Sequence, residues 1–177
     1  NKYIKMRKSI LALASATLMF AACSQSQKET PAQETTTPAA TEEAQPAEAP
    51  PTEPAVLELT GTDDMKFDKT EFTVKAGQTV KLTLKHTGTA TKEAMGHNFV
   101  LLAAGTSLQD FATAAIKAKD NDYIPADMAS SVIAHTKTIG GGESTEIEFT
   151  APSAGTYDFL CSFPGHYGTM KGHFIVE

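Results

Sequence analysis

Three segments of the chain alternate between apolar and polar side chains, and this feature restricts the possible folds more than any other. Residues 78–88, QTVKLTLKHTG, show the pattern most clearly, and residues 144–152 and 155–163 repeat it. A period of two is that of a β-strand with one buried and one solvent-exposed face. The inward positions that it predicts are Val80, Leu82, Leu84, His86, Ile147, Phe149, Tyr157, Phe159 and Cys161.

Turn-forming sequences separate these strands, namely KAGQ at 75–78, IGGGES at 139–144 and PSAGT at 152–156. One stretch, from Ser107 to Lys119, differs because its composition is helical and because Leu108, Phe111 and Ala115 share one face. We therefore predict one domain over residues 55–177, an all-β sandwich with one short helical insertion. A domain of this size can bury a core without disulfide bonds.

The residues before this domain have a different composition, and we divide them at Cys23. Residues 1–22 are predicted to be a signal peptide. Within them, a basic stretch directly after Met6 is followed by an apolar run that is too short to span a bilayer, which is the order found in signal peptides. The small residues directly before Cys23 resemble a bacterial lipoprotein box, which implies lipidation of Cys23. The alternative is an ordinary export signal with an incidental cysteine.

Residues 23–54 are predicted to be a disordered tether. They are rich in Pro, Thr, Glu and Ala with almost no aliphatic bulk, so they cannot bury enough apolar surface to offset the entropy of ordering. We expect the protein to be lipid-anchored on the periplasmic side of a bacterial membrane. Ser24 favours the outer membrane, by resemblance to sorting signals.

The charge balance disfavours nucleic acid as a partner. The formal net charge is −6, and removal of the basic residues of the predicted signal would bring it to −10. Arg7, which lies in that signal, is the only arginine of the chain. A strongly acidic protein without arginine is a poor ligand for phosphate backbones.

The segment CSFPGHYGTMKG contains Cys161, His166 and Met170 in a Cys-x4-His-x3-Met run, and His97 lies upstream in AMGHNFVLL. Two imidazoles, a thiolate and a weak thioether are the donor set of a blue-copper electron-transfer centre. If Cys23 is lipidated, Cys161 is the only thiol left in an oxidising compartment, and a bound metal would occupy it. Asn98 is placed to hydrogen-bond to the ligand loop and fix its orientation.

Three motifs together resemble azurin, the bacterial cupredoxin family: AMGHNFVLL, SSVIAHTKTIGGGE and CSFPGHYGTMKG, which occur in that family's order. The resemblance implies a Greek-key β-sandwich with a helical flap and one type 1 copper that cycles between Cu(I) and Cu(II). It also implies the ligands, which are His97, Cys161, His166 and Met170, with the Gly96 carbonyl as a distant axial oxygen. The azurin disulfide has no counterpart here, and Phe99 replaces a buried tryptophan.

The function implied is that of a one-electron carrier rather than an enzyme, because four protein donors leave no open position for a substrate. By resemblance, a docking surface surrounds His166 and is formed by Met65, Met95, Phe163, Pro164 and Gly165. A cytochrome c, a peroxidase or a nitrite reductase would fit as a transient redox partner of a monomeric protein. The alternative function is copper storage or delivery, and a copper enzyme is a third class.

The other histidines are interpreted separately. His86 alternates with core residues and is predicted to be a buried structural histidine, although its counterpart in azurin can titrate with the copper oxidation state. His135 is expected at the surface, and His173 is expected to face outward or to pack locally.

Overall fold

The computed structural model describes residues 51–177, which form two packed β-sheets joined by loops and short helices. The strands are β1 (Ala55–Thr62), β2 (Lys66–Phe67), β3 (Glu71–Val74), β4 (Thr79–His86), β5 (Val100–Leu102), β6 (Val132–His135), β7 (Ser144–Thr150), β8 (Gly155–Leu160) and β9 (Lys171–Val176). The predicted all-β sandwich is confirmed. The predicted signal peptide, Cys23 and the tether up to residue 50 lie outside the described residues.

The two sheets have the strand orders β2-β1-β4-β7 and β3-β9-β8-β5-β6. The pairs β1–β4 and β3–β9 are parallel, whereas the other neighbours run antiparallel. The strand β4 alternates strictly between half-buried and buried positions, as its sequence predicted. Most inward side chains of both sheets meet in a single apolar core, in which Leu82, Leu84, Phe159 and Phe174 are fully buried.

Two α-helices are present in the described part of the chain, α1 (Lys92–Met95) and α2 (Leu108–Ala115). The Ser107 side chain caps α2 by accepting a hydrogen bond from the Asp110 amide at 3.3 Å, which satisfies one free N–H of the first turn. The face of α2 formed by Phe111, Ala112 and Ala115 is buried. The predicted helical insertion is therefore present but ends earlier than expected.

The insertion covers the outer face of the second sheet. Phe111 and Ala112 pack with Ile124 against Val100, Leu102 and Leu160 in a second apolar cluster. All three residues of β5 are consequently buried, which explains why this strand is continuously apolar rather than alternating. The sequence did not predict α1 or the 3-10 turns Lys119–Asn121 and Ala126–Ser131, which complete the loops around the sheets.

The direction of β1 matters for the site. This strand begins at Ala55 and ends at Thr62, whose carbonyl oxygen lies 2.9 Å from His97 Nε2. The chain therefore enters the first sheet at the end of the sandwich that is remote from His97. Within residues 51–177, no helix has the length and apolar character needed to cross a bilayer.

Candidate metal centre

The segment from Cys161 to Met170 forms a closed loop between two paired strands. Because Leu160 of β8 pairs with Lys171 of β9, the next residues inward, Cys161 and Met170, lie opposite each other. The Cys161 amide donates to the Met170 carbonyl oxygen at 2.9 Å, and the Met170 amide donates to the His166 carbonyl oxygen at 2.9 Å. Gly165 adopts a φ of 86°, a left-handed conformation that glycine accepts without strain. The strand pairing therefore fixes the base of this loop.

His97 reaches the same place from the other side. Its backbone exchanges two hydrogen bonds with Ile139, of 3.0 and 2.8 Å, which hold it between α1 and β5. Its Nε2–H donates to the Thr62 carbonyl oxygen at 2.9 Å. Since that nitrogen carries the proton, Nδ1 is left with a free lone pair, and Nδ1 is buried without any hydrogen-bond partner. A buried lone pair of this kind fits a metal ligand.

The candidate donors converge in a buried cluster. His97, Cys161 and His166 each offer one atom, and these three atoms lie within 4.8 Å of one another. Cys161 Sγ is 3.6 Å from His166 Nδ1 and 3.9 Å from the Gly96 carbonyl oxygen. Met170 is completely buried at the other end of the same loop. Two nitrogens, one thiol sulfur and a neighbouring thioether could therefore hold one soft metal ion. Within residues 51–177, no other group of three His, Cys, Asp or Glu side chains brings its donor atoms together in this way.

Burial keeps the metal-free cluster uncharged. It raises the pKa of the Cys161 thiol to about 12, although the backbone amides of Asn98 and Phe163 partly oppose this shift. It lowers the pKa of His166 to about 4, with further contributions from the nearby His97 and His86. Burial is also the largest factor that lowers the pKa of His97. A cation at this place would favour the thiolate, since a nearby positive charge offsets the desolvation of the anion.

We expect the metal-free protein to lose stability as the pH falls from about 6.5 to about 4. In that window the unfolded chain binds a proton at His166, whereas the folded state, with its lowered pKa, does not. The full shift of this one residue corresponds to a loss on the order of 3 kcal/mol. Urea unfolding of the metal-free protein at several pH values measures the effect. His166→Gln should make the free energy of unfolding less dependent on pH, whereas His135→Gln, at an exposed position, should not. Equal pH dependence in the two variants would contradict the attribution to His166.

A third histidine lies directly behind His97. The ring centroids of His86 and His97 are 4.2 Å apart, and His86 is 1% exposed, so the prediction of a buried histidine in β4 is confirmed. Its Nε2 lies 3.1 Å from Asp63 Oδ1. The Thr89 N–H is the largest factor that holds the pKa of Asp63 below its usual range, ahead of the Ala90 N–H and His86. No local sequence pattern marks Asp63 as the partner of His86.

The predicted hydrogen bonding by Asn98 is also confirmed. Asn98 Oδ1 accepts a hydrogen bond from the Ser162 amide at 2.8 Å, and Nδ2 donates to Ser162 Oγ at 2.9 Å. Each partner is directly adjacent in the chain to a candidate donor, His97 or Cys161. The side chain of Asn98 is fully buried, so these bonds are protected from water.

The two remaining histidines lie away from the cluster, as predicted. His135 is exposed at the end of β6. His173 is exposed on β9, where its Nδ1 lies 2.9 Å from Asp158 Oδ1.

The residues predicted to form a docking surface differ in exposure. Met65 is 39% exposed and Gly165 is exposed, whereas Met95 and Pro164 are half-buried. Phe163 is only 9% exposed, because its ring packs against His166 at 4.7 Å and against Tyr123 at 5.0 Å between centroids. His166 itself is only 2% exposed, so neighbouring residues cover it almost completely.

Comparisons with known proteins agree with this geometry. The family model of copper binding proteins, plastocyanin/azurin family, matches residues 55–177. Azurin-1 of Alcaligenes xylosoxydans xylosoxydans is 42% identical over 120 residues, which are 66% of this chain and 92% of that protein. Outer membrane protein H.8 of Neisseria gonorrhoeae is 41% identical over 113 residues, 62% of this chain and 61% of that protein.

A solved structure gives the same result. Auracyanin A, described as a "blue" copper protein from the green thermophilic photosynthetic bacterium Chloroflexus aurantiacus, superposes with a TM-score of 0.64 at 38% identity. The match covers 71% of this chain and 100% of that one. Fold and donor set together define the cupredoxin class of copper proteins. The chain belongs to the plastocyanin/azurin family of copper-binding proteins.

The family assignment confirms the interpretation of the chain as an electron carrier with a copper cofactor. Azurins and related cupredoxins are electron carriers rather than enzymes, and they exchange electrons with redox partners. The alternative of copper storage or delivery is not supported. The burial of the donors is consistent with this, because His97, Cys161 and His166 are at most 2% exposed, whereas ready exchange of a metal favours exposed donors.

Proposed function

We propose that His97, Cys161, His166 and Met170 hold one copper ion, with the Gly96 carbonyl oxygen as a more distant neighbour. The observation that supports this most directly is the convergence of three buried donor atoms within 4.8 Å, one of which, His97 Nδ1, has no other partner. When bound, copper supplies a one-electron couple between Cu(I) and Cu(II). The protein itself positions the donors and keeps water away from them.

The chain keeps the donors in one arrangement and excludes water. His97 is held by Ile139 and Thr62, and the loop from Cys161 to Met170 is closed by its own backbone hydrogen bonds. Cu(I) and Cu(II) prefer different coordination geometries, but the protein holds the donors in place in both oxidation states. The structural reorganisation that accompanies electron transfer should therefore be small. Four protein donors leave no free position, whereas catalytic metal sites keep one open. We therefore propose that the protein has no enzymatic activity of its own.

Copper titration of the purified full-length protein tests this proposal. One equivalent of Cu(II) should produce an intense visible thiolate band that disappears on reduction and returns on reoxidation. The ion should stay bound in the presence of a modest chelator at neutral pH. Rapid loss to the chelator would indicate delivery rather than electron transfer, and absence of the band would refute the site.

We further propose that electrons pass through the surface around His166, formed by Met65, Met95, Phe163, Pro164 and Gly165. Phe163 contacts the His166 ring, and the exposed Met65 is tied to the ligand loop because Thr169 Oγ1 donates to its carbonyl oxygen at 2.7 Å. Methionine suits brief contacts with more than one partner. A small transient interface with a cytochrome c, a peroxidase or a nitrite reductase fits this surface.

Met65→Glu is predicted to slow electron transfer to a cytochrome c by about tenfold, since a buried charge at a small interface disfavours the encounter complex. Stopped-flow kinetics at fixed ionic strength measures the rate. The matched control is Val56→Glu, which adds the same charge to a 77% exposed residue at the far end of β1. Equal rates in the two variants would exclude Met65 from the docking surface, and an unchanged visible band confirms an intact site.

We also propose that residues 1–22 are a signal peptide, that Cys23 is lipidated, and that residues 23–54 connect the anchor to the domain of residues 55–177. The start of β1 at Ala55 and the family match from residue 55 support the last boundary. The name of the Neisseria relative, an outer membrane protein, supports an outer-membrane location, and we propose that the domain lies on the periplasmic side. Cys23→Ser should move the protein from the membrane to the soluble fraction, as a monomer, and unchanged membrane association would contradict lipidation.

A further inference from the structure

Two consecutive residues of the insertion between β5 and β6 have a left-handed backbone. Asp122 has a φ of 50° and Tyr123 a φ of 61°, directly after the 3-10 turn Lys119–Asn121. Residues other than glycine adopt this conformation at a cost of about 1 kcal/mol or more, so the surrounding contacts must hold it. These contacts lead to the candidate copper site.

The backbone carbonyls of this pair bind the two residues that follow candidate ligands. The Asp122 carbonyl oxygen accepts a hydrogen bond from Asn98 Nδ2 at 2.8 Å. The Tyr123 carbonyl oxygen accepts one from Ser162 Oγ at 2.9 Å. Asn98 and Ser162 also bind each other, and the side chains of both residues are buried.

The side chain of Asp122 adds a third connection. Its Oδ1 accepts a hydrogen bond from the Thr138 amide at 2.9 Å. Thr138 precedes Ile139, whose backbone holds His97 in place. Lys92 Nζ lies 3.6 Å from the same oxygen, at the start of α1. Asp122 therefore contacts Asn98, which follows His97, and Thr138, which precedes the partner of His97. Its neighbour Tyr123 contacts Ser162, which follows Cys161.

We propose that Asp122 is a positioning residue of the copper site, which fixes the directions of Cys161 and His97 through Asn98, Ser162 and Thr138. This inference rests on the proposed assignment of His97 and Cys161 as ligands. Asp122 touches none of the candidate donors, and its effect passes through hydrogen bonds to their neighbours. Partners behind a ligand commonly change metal affinity by about 10- to 100-fold when they are removed.

Three variants separate the contributions of Asp122. Asp122→Ala removes the carboxylate and disfavours the left-handed backbone. Asp122→Asn keeps an oxygen acceptor for the Thr138 amide and tolerates the same backbone, so it should restore the wild-type site. Asp122→Gly accepts the backbone but lacks the acceptor, and it serves if the alanine variant does not fold. Asp120→Ala is the matched control, because this exposed residue of the same turn makes no hydrogen bond or ion pair with its side chain among the described residues.

We expect copper-loaded Asp122→Ala to show altered ratios of the visible thiolate bands, a changed copper hyperfine splitting in its EPR spectrum, and about tenfold weaker copper binding. Asp122→Asn should resemble the wild type in band ratios and hyperfine splitting. If Asp122→Ala or Asp122→Gly gives the same spectra as Asp120→Ala, the proposal is refuted.

A measurement without copper keeps this test independent of the ligand assignment. The Ser162 amide donates to Asn98 Oδ1, and its hydrogen exchange reports whether that bond persists. In metal-free Asp122→Ala we expect at least about tenfold faster exchange of this amide than in metal-free Asp120→Ala. Unchanged exchange would overturn the positioning role. If the wild type bound copper without a thiolate band, the ligand assignment would fail while this exchange result would still stand.

Discussion

Replacing Cys161 with serine is expected to abolish the intense visible absorption of the copper-loaded protein while the β-sandwich stays folded. The band depends on the sulfur, and a serine hydroxyl is a hard donor that soft copper disfavours. Copper affinity should fall by more than about 100-fold, because even the loss of a group behind a ligand costs about 10- to 100-fold. Absorption spectroscopy and a competition titration measure the two effects.

The fold should tolerate this change because serine is close to cysteine in size, although burial of the more polar hydroxyl at this fully buried position costs some stability. Circular dichroism checks this. His173→Ala is a suitable control, since it removes an imidazole whose recorded contact is with Asp158, outside the donor cluster. The control should keep the full band. A band of wild-type intensity in Cys161→Ser would show that another residue provides the strong donor.

Gly61→Ala should disturb the copper site through His97, although position 61 carries no donor. A Cβ atom at this position would lie 2.6 Å from His97 Cδ2, closer than such atoms approach, and 3.3 Å from His97 Nε2, which is a tight contact. The backbone cannot move away easily, because Gly61 pairs with His86 in the first sheet. The imidazole must therefore turn, and we expect copper affinity to fall by about 10- to 100-fold with a shifted visible band.

Gly168→Ala is the matched control for this prediction. It makes the same chemical change within the ligand loop, but a Cβ atom there would meet nothing within 4 Å. Copper binding and the spectrum of this variant should equal those of the wild type. If Gly61→Ala also binds copper normally, His97 is either free to rotate or not a ligand.

The sequence predicted the parts of this structure that depend on local patterns. The alternation in β4 defines one buried face, which determines the side of the strand that meets the core. Cys161, His166 and Met170 are recognisable because they share one loop with fixed spacing. His97 lies far away in the chain and is recognisable only by its motif, and its convergence with Cys161 depends on how the two sheets pack.

Features that depend on contacts between distant loops were not predicted. Asp63 and Asp122 look like ordinary loop acids in the sequence, yet one lies beside His86 and the other accepts a hydrogen bond from Thr138. No local pattern reports such pairings, because they join residues more than fifteen positions apart. The four-residue helix α1 was also missed, since one turn is too short to show a helical period.

The course of β1 has a practical consequence for work with this protein. Its eight residues, from Ala55 to Thr62, place the incoming chain about 23 Å from the end that contacts His97, at about 3.3 Å per residue. A reporter protein or an electrode surface joined ahead of Ala55 would therefore leave the opposite end, where the candidate donors lie, free for encounters in solution.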